Sequence, residues 1–425
     1  MELRPGYKQS EVGVIPEEWD AACLGDMTTK VGSGITPTGG EKVYRQEGRS
    51  FLRSQNVGWG ILLMEDVAFI DEATHETFKA TEIETDDVFL NITGASIGRS
   101  AVADARVTRG NVNQHVCIIR TAQDQLDSRF LNYFLLSKAG QRQIDSFQAG
   151  GNRQGLNFGQ IRSFRLPVPT LPEQRAIAGA LGDVDALLGA LTQLIAKKRD
   201  LKQAAMQQLL TPPGAGQAGQ TRLPGFSGEW EAKRLGEIGS FSKGKGIRKD
   251  DVVADGLPCI RYGEIYTHHT DHVRDFVSFI PAEVARRSQR LRKGDLLFAG
   301  SGETAEEIGK CVAFLDDTEA YAGGDIVILS PVGHNSMYLG YLMNHASVAE
   351  QKARMGQGDA VVHISARHLT QLKVRLPEEP EQTAIAAVLS DMDAELTALE
   401  QRLAKTRALK QGMMQELLTG RTRLV

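Results

Sequence analysis

At 425 residues, with a formal net charge of −4, 41% hydrophobic and 24% charged residues, the chain can build two or three domains, each with its own core. No stretch approaches the roughly 20 apolar residues that span a bilayer. The opening MELRPGYKQSEVGVIPEEWD lacks the basic start and apolar core of a signal peptide, and no membrane partner is expected.

Cys23, Cys117, Cys259 and Cys311 form no Cys-x-x-Cys pair, which reads as a reduced, cytoplasmic protein with incidental thiols. Nucleic-acid binders are usually basic, but the average charge hides an asymmetry. Residues 1–98 carry 8 Lys/Arg against 17 Asp/Glu, and residues 99–165 carry 10 against 4. A basic face on an acidic body is therefore open to this chain.

In chain order, the first half opens on EEWDAACLGDM, with Trp19, Leu24, Gly25 and Asp26. DVFLNITGASIGRSAV (87–102) reads as an apolar strand, a small-residue turn and a second strand, and SRFLNYFLLS (128–137) as a short helix. Residues 173–211 read as one long helix. TPPGAGQAGQTRLPGF (211–226), rich in Pro, Gly and Gln, breaks that helix.

The second half repeats the order: GEWEAKRLGEI with Trp230, Leu235, Gly236 and Glu237, DLLFAGSGETAEEIGKCVAF (295–314), SMYLGYLMNH (336–345), and a long helix over 381–419. At an offset of 208 the two helical segments agree at 24 of 39 positions. The tail TGRTRLV echoes Thr221-Arg222-Leu223, as if the halves could close into a ring. Whatever such a protein recognises should have two halves.

Ile177, Leu181, Val184, Leu188, Leu191 and Ile195 recur in steps of 4, 3, 4, 3 and 4, as do Ile385, Leu389, Met392, Leu396, Leu399 and Leu403. Two such heptad seams in one chain are most simply buried against each other; separate packing of each helix on its own domain is the alternative. Glu173 and Glu381 stand in the first turns, where a carboxylate opposes the helix dipole. A helix of 39 residues would extend about 58 Å, a spacer length. The expected class is α+β: two mixed α/β domains joined by two long helices packed as an antiparallel coiled coil.

Catalytic signals fail in turn. Phe298-Ala299-Gly300-Ser301-Gly302 fits a methyl-donor pocket pattern, but its counterpart Phe89–Thr93 lacks both glycines, so a strand-ending turn is the better reading. Gly214-Ala215-Gly216-Gln217-Ala218-Gly219 lies in the linker with no strand before it, and no phosphate-binding Gly-x-x-x-x-Gly-Lys-Ser/Thr loop exists. Glu231-Ala232-Lys233 has no aspartate nearby upstream to share a metal. His268, His269 and His272, flanked by Asp271 and Asp275, read as a solvated loop rather than a metal site. The expectation is a reader without catalytic residues, cofactor or metal of its own.

Gly13-Val14-Ile15-Pro16-Glu17-Glu18-Trp19 and Leu223-Pro224-Gly225-Phe226-Ser227-Gly228-Glu229-Trp230 open the halves. Leu171-Pro172-Glu173-Gln174 with Ala176-Ile177-Ala178, and Pro380-Glu381-Gln382 with Ala384-Ile385-Ala386, open the helices. In these features, twice in order over essentially the whole length, the chain resembles the specificity subunit of type I restriction–modification systems. The resemblance implies target-recognition domains at 1–165 and 227–375, helical spacers at 166–211 and 376–425, and a linker at 212–226. It implies a bipartite double-stranded DNA target whose gap the helices set. It also implies two modification subunits that methylate adenine at N6, and two motor/nuclease subunits that can join. S-adenosylmethionine, ATP and magnesium would then belong to those partners. A coiled-coil scaffold that binds proteins and no DNA is the alternative.

Contact candidates follow from chemistry. For phosphates, Lys243, Lys245, Arg248 and Lys249 stand among glycines, and the uncharged counterpart Gly32–Thr38 offers Ser33 and Thr36. For bases, Arg suits guanine, Asn or Gln adenine, and Glu cytosine. These are Arg53, Gln55 and Asn56; Asn113 and Gln114, with His115 beside them; Asn152, Arg153 and Gln154; and Arg261, Tyr262 and Glu264. The run Arg286–Lys293 reads as a phosphate contact or an exposed helix face.

Overall fold

The computed structural model describes residues 4–148, 155–214, 222–358 and 361–424, so Asn152, Arg153 and Gln154 lie outside the described residues. The chain divides into two compact units, residues 1–192 with 401–425, and residues 193–400.

In the first unit a four-stranded antiparallel sheet runs in the order Thr28–Ser33, Val116–Thr121, Val88–Asn91, Ser100–Val102. Beside it lie Ala68–Ile70, Arg49–Leu52 and Asn111–Val112, the last two parallel. All of Val88–Asn91 is buried because both faces are covered. Val88 and Leu90 share a core with Phe130 and Phe134 of the helix Ser128–Leu136, while Phe89 packs with Leu52, Val57 and Ile118.

The second unit repeats this plan. Its antiparallel sheet runs Gly239–Lys243, Ile326–Pro331, Leu296–Ala299, Cys311–Ala313. Its second sheet runs Ser278–Ile280, Leu257–Ile260, Tyr321–Ala322, Gln289–Arg290, with Leu257–Ile260 and Tyr321–Ala322 parallel. The helix Ser336–Asn344 sits where Ser128–Leu136 does. Short two-stranded pairs, Asp20–Cys23 with Arg165–Val168 and Glu231–Arg234 with Lys373–Leu376, close each domain just before its long helix.

The long helices, Leu171–Leu209 and Glu379–Leu417, each have 39 residues and begin and end two residues earlier than the repeat suggests. Each contributes its early turns to one unit and its late turns to the other. In the first unit Glu173, at the start of one helix, is held by Arg423 from beyond the end of the other, and Asp185 pairs with Lys410 at 2.6 Å. In the second, Glu381 is held by Arg222, and Asp393 pairs with Lys202 at 2.7 Å. The helices therefore run antiparallel within each unit.

They also pack on the domains. Ile177, Leu181, Leu417 and Leu418 share the core of Val88 and Leu90, and Ile385, Leu389, Leu209 and Leu210 share that of Leu296 and Phe298. The helices thus meet each other within each unit and also pack on the domain cores, rather than each packing separately on its own domain. Along the seam Ile177, Leu181, Leu191, Ile195, Ile385, Leu389 and Leu396 are buried, and Val184, Leu188, Met392, Leu399 and Leu403 are half-buried.

By length and composition alone, the first long helix is apolar enough to cross a membrane, with a mean hydropathy of 1.2 in its most apolar stretch. That corrects the expectation that no stretch approaches such a span. Its alanines and leucines raise the mean, and Asp185 within it accepts from Tyr133 Oη (2.9 Å) and pairs with Lys410.

Candidate nucleic-acid interface

Strand register decides which loops meet. In the first unit Ser33 pairs with Cys117, Asn91 with Val116 and Leu52 with Val112. The loops after Ser33, Leu52 and Asn91 and before Val116 therefore gather on one rim. Asn91 Nδ2 ties two of them by donating to the Ser54 carbonyl (2.8 Å). The chain leaves the first strand through Gly34, where a Cβ would stand 1.6 Å from the Val112 carbonyl oxygen. Gly244 does the same in the second unit, 1.9 Å from the carbonyl oxygen of Gly323. Only glycine allows this backbone approach.

The rim holds most of the candidates, in unequal states. Ser33 and Thr36 are half-buried, and Gln55 and Gln114 are exposed. Asn56 is buried: its Oδ1 accepts from the Arg53 backbone N–H (2.9 Å), and its Nδ2 donates to the carbonyls of Leu63 and Asp66 (3.0 and 2.9 Å). Its polar atoms are spent closing a turn, which corrects the expectation that it reads a base. Arg53 is drawn inward too, donating to the Asp66 carbonyl (2.8 Å) with its guanidinium over the Tyr44 ring. Asn113 is buried and accepts the His115 backbone N–H (3.1 Å).

In the second unit Lys243, Lys245, Arg248 and Lys249 are exposed, and Lys243 stands 3.9 Å from Asp325. Tyr262 is exposed, and Arg261 is half-buried. Glu264, 208 positions after Asn56, repeats its role. It is buried, takes the Arg261 backbone N–H (3.3 Å), pairs with the Arg261 side chain (2.8 Å) and accepts from Ser278 Oγ (2.5 Å). It is an internal cap, and the expected cytosine acceptor is withdrawn.

Three rim residues, Thr93, Ser301 and His363, escaped the sequence reading, while His115 stood among its candidates. Thr93 Oγ1 and His115 Nδ1 lie 2.6 Å apart, and Ser301 Oγ and His363 Nδ1 lie 2.9 Å apart. The only sequence signal is that Thr93 and Ser301 are 208 positions apart.

The other motifs resolve as follows. Phe298–Ala299 ends a strand as expected, and Ser301–Gly302 then pairs with Val362–His363. His269 is buried rather than solvated, and burial holds its pKa down at about 4. His268 Nε2 bonds Asp275 Oδ1 (2.6 Å). His268, His269 and Asp275 stand close enough to share an ion, as do Glu72, His75 and Glu76, but His75 Nδ1 is already taken by Asn111 Oδ1 (2.7 Å). Arg286–Lys293 follows a short helix, Ala282–Ala285, and includes the strand Gln289–Arg290; its Arg287 and Lys293 pair with Asp251 and Asp317. Behind the rim, Lys352 is buried, donates to the Gly309 carbonyl (2.6 Å), and is pushed down by burial to a pKa of about 8.

Comparison with known proteins agrees with this twofold plan. The sequence profile of the type I restriction modification DNA specificity domain matches residues 16–199 and again 227–407. A Methanocaldococcus jannaschii protein named as the MjaX type I restriction enzyme specificity subunit is 21% identical over 435 aligned positions, covering 98% of this chain and 97% of its own. The MjaVIII specificity subunit of the same organism is 24% identical over 208 residues, 48% of each chain. Among solved structures, the type I restriction–modification S subunit from M. genitalium superposes with a TM-score of 0.60 at 16% identity, covering 98% of both chains.

Proposed function

Since this chain belongs to the family of type I restriction–modification DNA specificity subunits, we propose that each of its domains reads one half of a split double-stranded DNA target. The observation that carries the reading is one scaffold used twice with different rims: strand order and caps repeat, while exposed Lys243 and Lys245 stand where the first unit has Ser33 and Ile35. Two such domains suit two different half-sites. The long helices set the gap between them.

The chain itself catalyses nothing. Two modification subunits methylate adenine N6 using S-adenosylmethionine, and motor/nuclease subunits that use ATP and magnesium complete the restriction complex. Such a complex works in the cytoplasm. With a net charge of −4, the isolated subunit binds DNA weakly, and its partners supply much of the phosphate-neutralising charge. The test is co-expression with the cognate modification subunit in a host lacking adenine methylation, followed by genome-wide mapping of N6-methyladenine. A single split motif with a fixed gap is expected. A stable complex that methylates no such motif would refute the reading.

A further inference from the structure

The repeat equates two rim positions whose residues are exchanged between the units. Ile92 N–H donates to the His115 carbonyl (3.0 Å), as Gly300 N–H does to the Asp325 carbonyl (2.6 Å), so His115 and Asp325 occupy one position. On the other side, Thr93 bridges to Gly155 and Ser301 to His363, so Gly155 and His363 occupy another. Between them stands the same hydroxyl, Thr93 or Ser301. The first unit brings an imidazole to it from one flank, and the second brings one from the opposite flank.

We propose that these hydroxyl–histidine pairs contact base edges, His115 in the half-site of the first domain and His363 in that of the second. The proposal rests on the DNA-specificity reading above and names which side chains carry it. In both pairs Nδ1 faces the hydroxyl, which leaves Nε2 as the outward atom. A hydroxyl gives or accepts a proton according to how it rotates. If it accepts from Nδ1–H, Nε2 is an acceptor suited to adenine N6 or cytosine N4. If it donates, Nε2–H is a donor suited to guanine O6/N7 or thymine O4. The hydroxyl also fixes the ring plane, so less rotamer entropy is lost on binding. His363 is exposed and His115 half-buried; the exposed Gln114 amide Nε2 lies 3.4 Å from His115 Nε2 and can only donate, so in this arrangement His115 Nε2 is the acceptor and Nδ1–H donates to Thr93.

The experiment uses the complex with the modification subunit and compares wild type, His115→Phe, Thr93→Val, His363→Phe and Ser301→Ala. Each complex is first checked for wild-type assembly by size exclusion and for melting temperature; where a Phe variant fails this check, His115→Asn or His363→Asn is scored instead. Methylation rates are then measured on duplexes with every single-base change in each half-site. His115→Phe should lower the rate on the original target by roughly 5–150-fold, the range of one good base contact, and relax one or two positions of one half-site only. Thr93→Val should relax the same positions less. His363→Phe and Ser301→Ala should do this in the other half-site. Unchanged base preference in both histidine variants, or one variant altering both half-sites, overturns the proposal. A wild-type complex with no split motif would instead count against the functional reading.

Discussion

Removing Arg423 should destabilise the first unit by more than any surface ion pair is worth. Glu173 is 1% exposed and accepts three hydrogen bonds, from Trp19 Nε1 (3.0 Å), Arg423 Nε (2.6 Å) and Arg423 Nη2 (2.9 Å). Arg423→Ala deletes two of the three and leaves a buried carboxylate with one neutral donor. Breaking a buried pair costs about 3–5 kcal/mol. The Arg423 side chain is 21% exposed, so water reaches the vacated place and about 2–4 kcal/mol is the better figure. The Glu18 contact lies in solvent and adds little. Arg222→Ala should cost the second unit more, because the Trp230 indole N–H has no partner among the described residues and Glu381 relies on Arg222. For units of this size each kcal/mol moves the melting temperature by roughly 2–4 °C, so calorimetry of the full chain should show shifts on the order of 5–15 °C. Adding Glu173→Gln to Arg423→Ala should recover part of the loss by removing the uncompensated charge. A shift below about 2 °C, or a double variant no more stable than Arg423→Ala, would refute the reasoning.

Three further outcomes are expected. Lys243→Gln and Lys245→Gln should each lower the slope of log affinity against log salt by about 0.9 if each side chain holds a phosphate; anisotropy titrations over a salt series will show an unchanged slope if they do not. Lys352 keeps its proton to about 10.4 in the unfolded chain and releases it near 8 in the folded one. Its burial therefore costs stability fully below about 8, and the cost fades as pH rises towards 10.4. Lys352→Met should accordingly raise the melting temperature at pH 7 and lose that advantage near pH 10, and an equal gain at both pH values would contradict this. Finally, one heptad inserted after Thr192 and another after Glu400 should add about 10 Å of helix. That corresponds to about 3 base pairs in the gap mapped by methylation, with both half-sites intact; altered half-sites would make the helices part of the reading surface.

The legible parts of this fold are those where burial dictates residue type. Val88–Asn91 and Leu296–Ala299 stand out as short apolar runs because both faces of each strand are covered. The seam stands out because Ile177, Leu181, Ile385 and Leu389 serve two interfaces at once, the partner helix and the domain core. Most of the rim residues could be named from the sequence, but not the internal bonds that several of them make. Asn56 and Glu264 have the composition of base readers, yet the same acceptors that suit a base edge also suit the backbone N–H of a turn, and here the turn takes them.

The hydroxyl–histidine pairs were beyond sequence reading for a different reason. Thr93 and His115 lie 22 residues apart and Ser301 and His363 62 apart, and only the tertiary register brings them together. That difference bears on how such a rim changes its target. Gly34 and Gly244, against a carbonyl, cannot take a side chain without moving backbone, and the turn position filled by Asn56 or Glu264 needs an acceptor for a backbone N–H. The imidazole arrives from either flank because the hydroxyl between the flanks is kept in both units; at the Asp325 flank the backbone is left-handed (φ +61°), which restricts the residues that fit there. If the hydroxyl–histidine pairs contact base edges as proposed, one substitution at a flank gives a new specificity while the loop ends stay in place. Placing a histidine at Gly155 or Asp325 is the most direct way to build one.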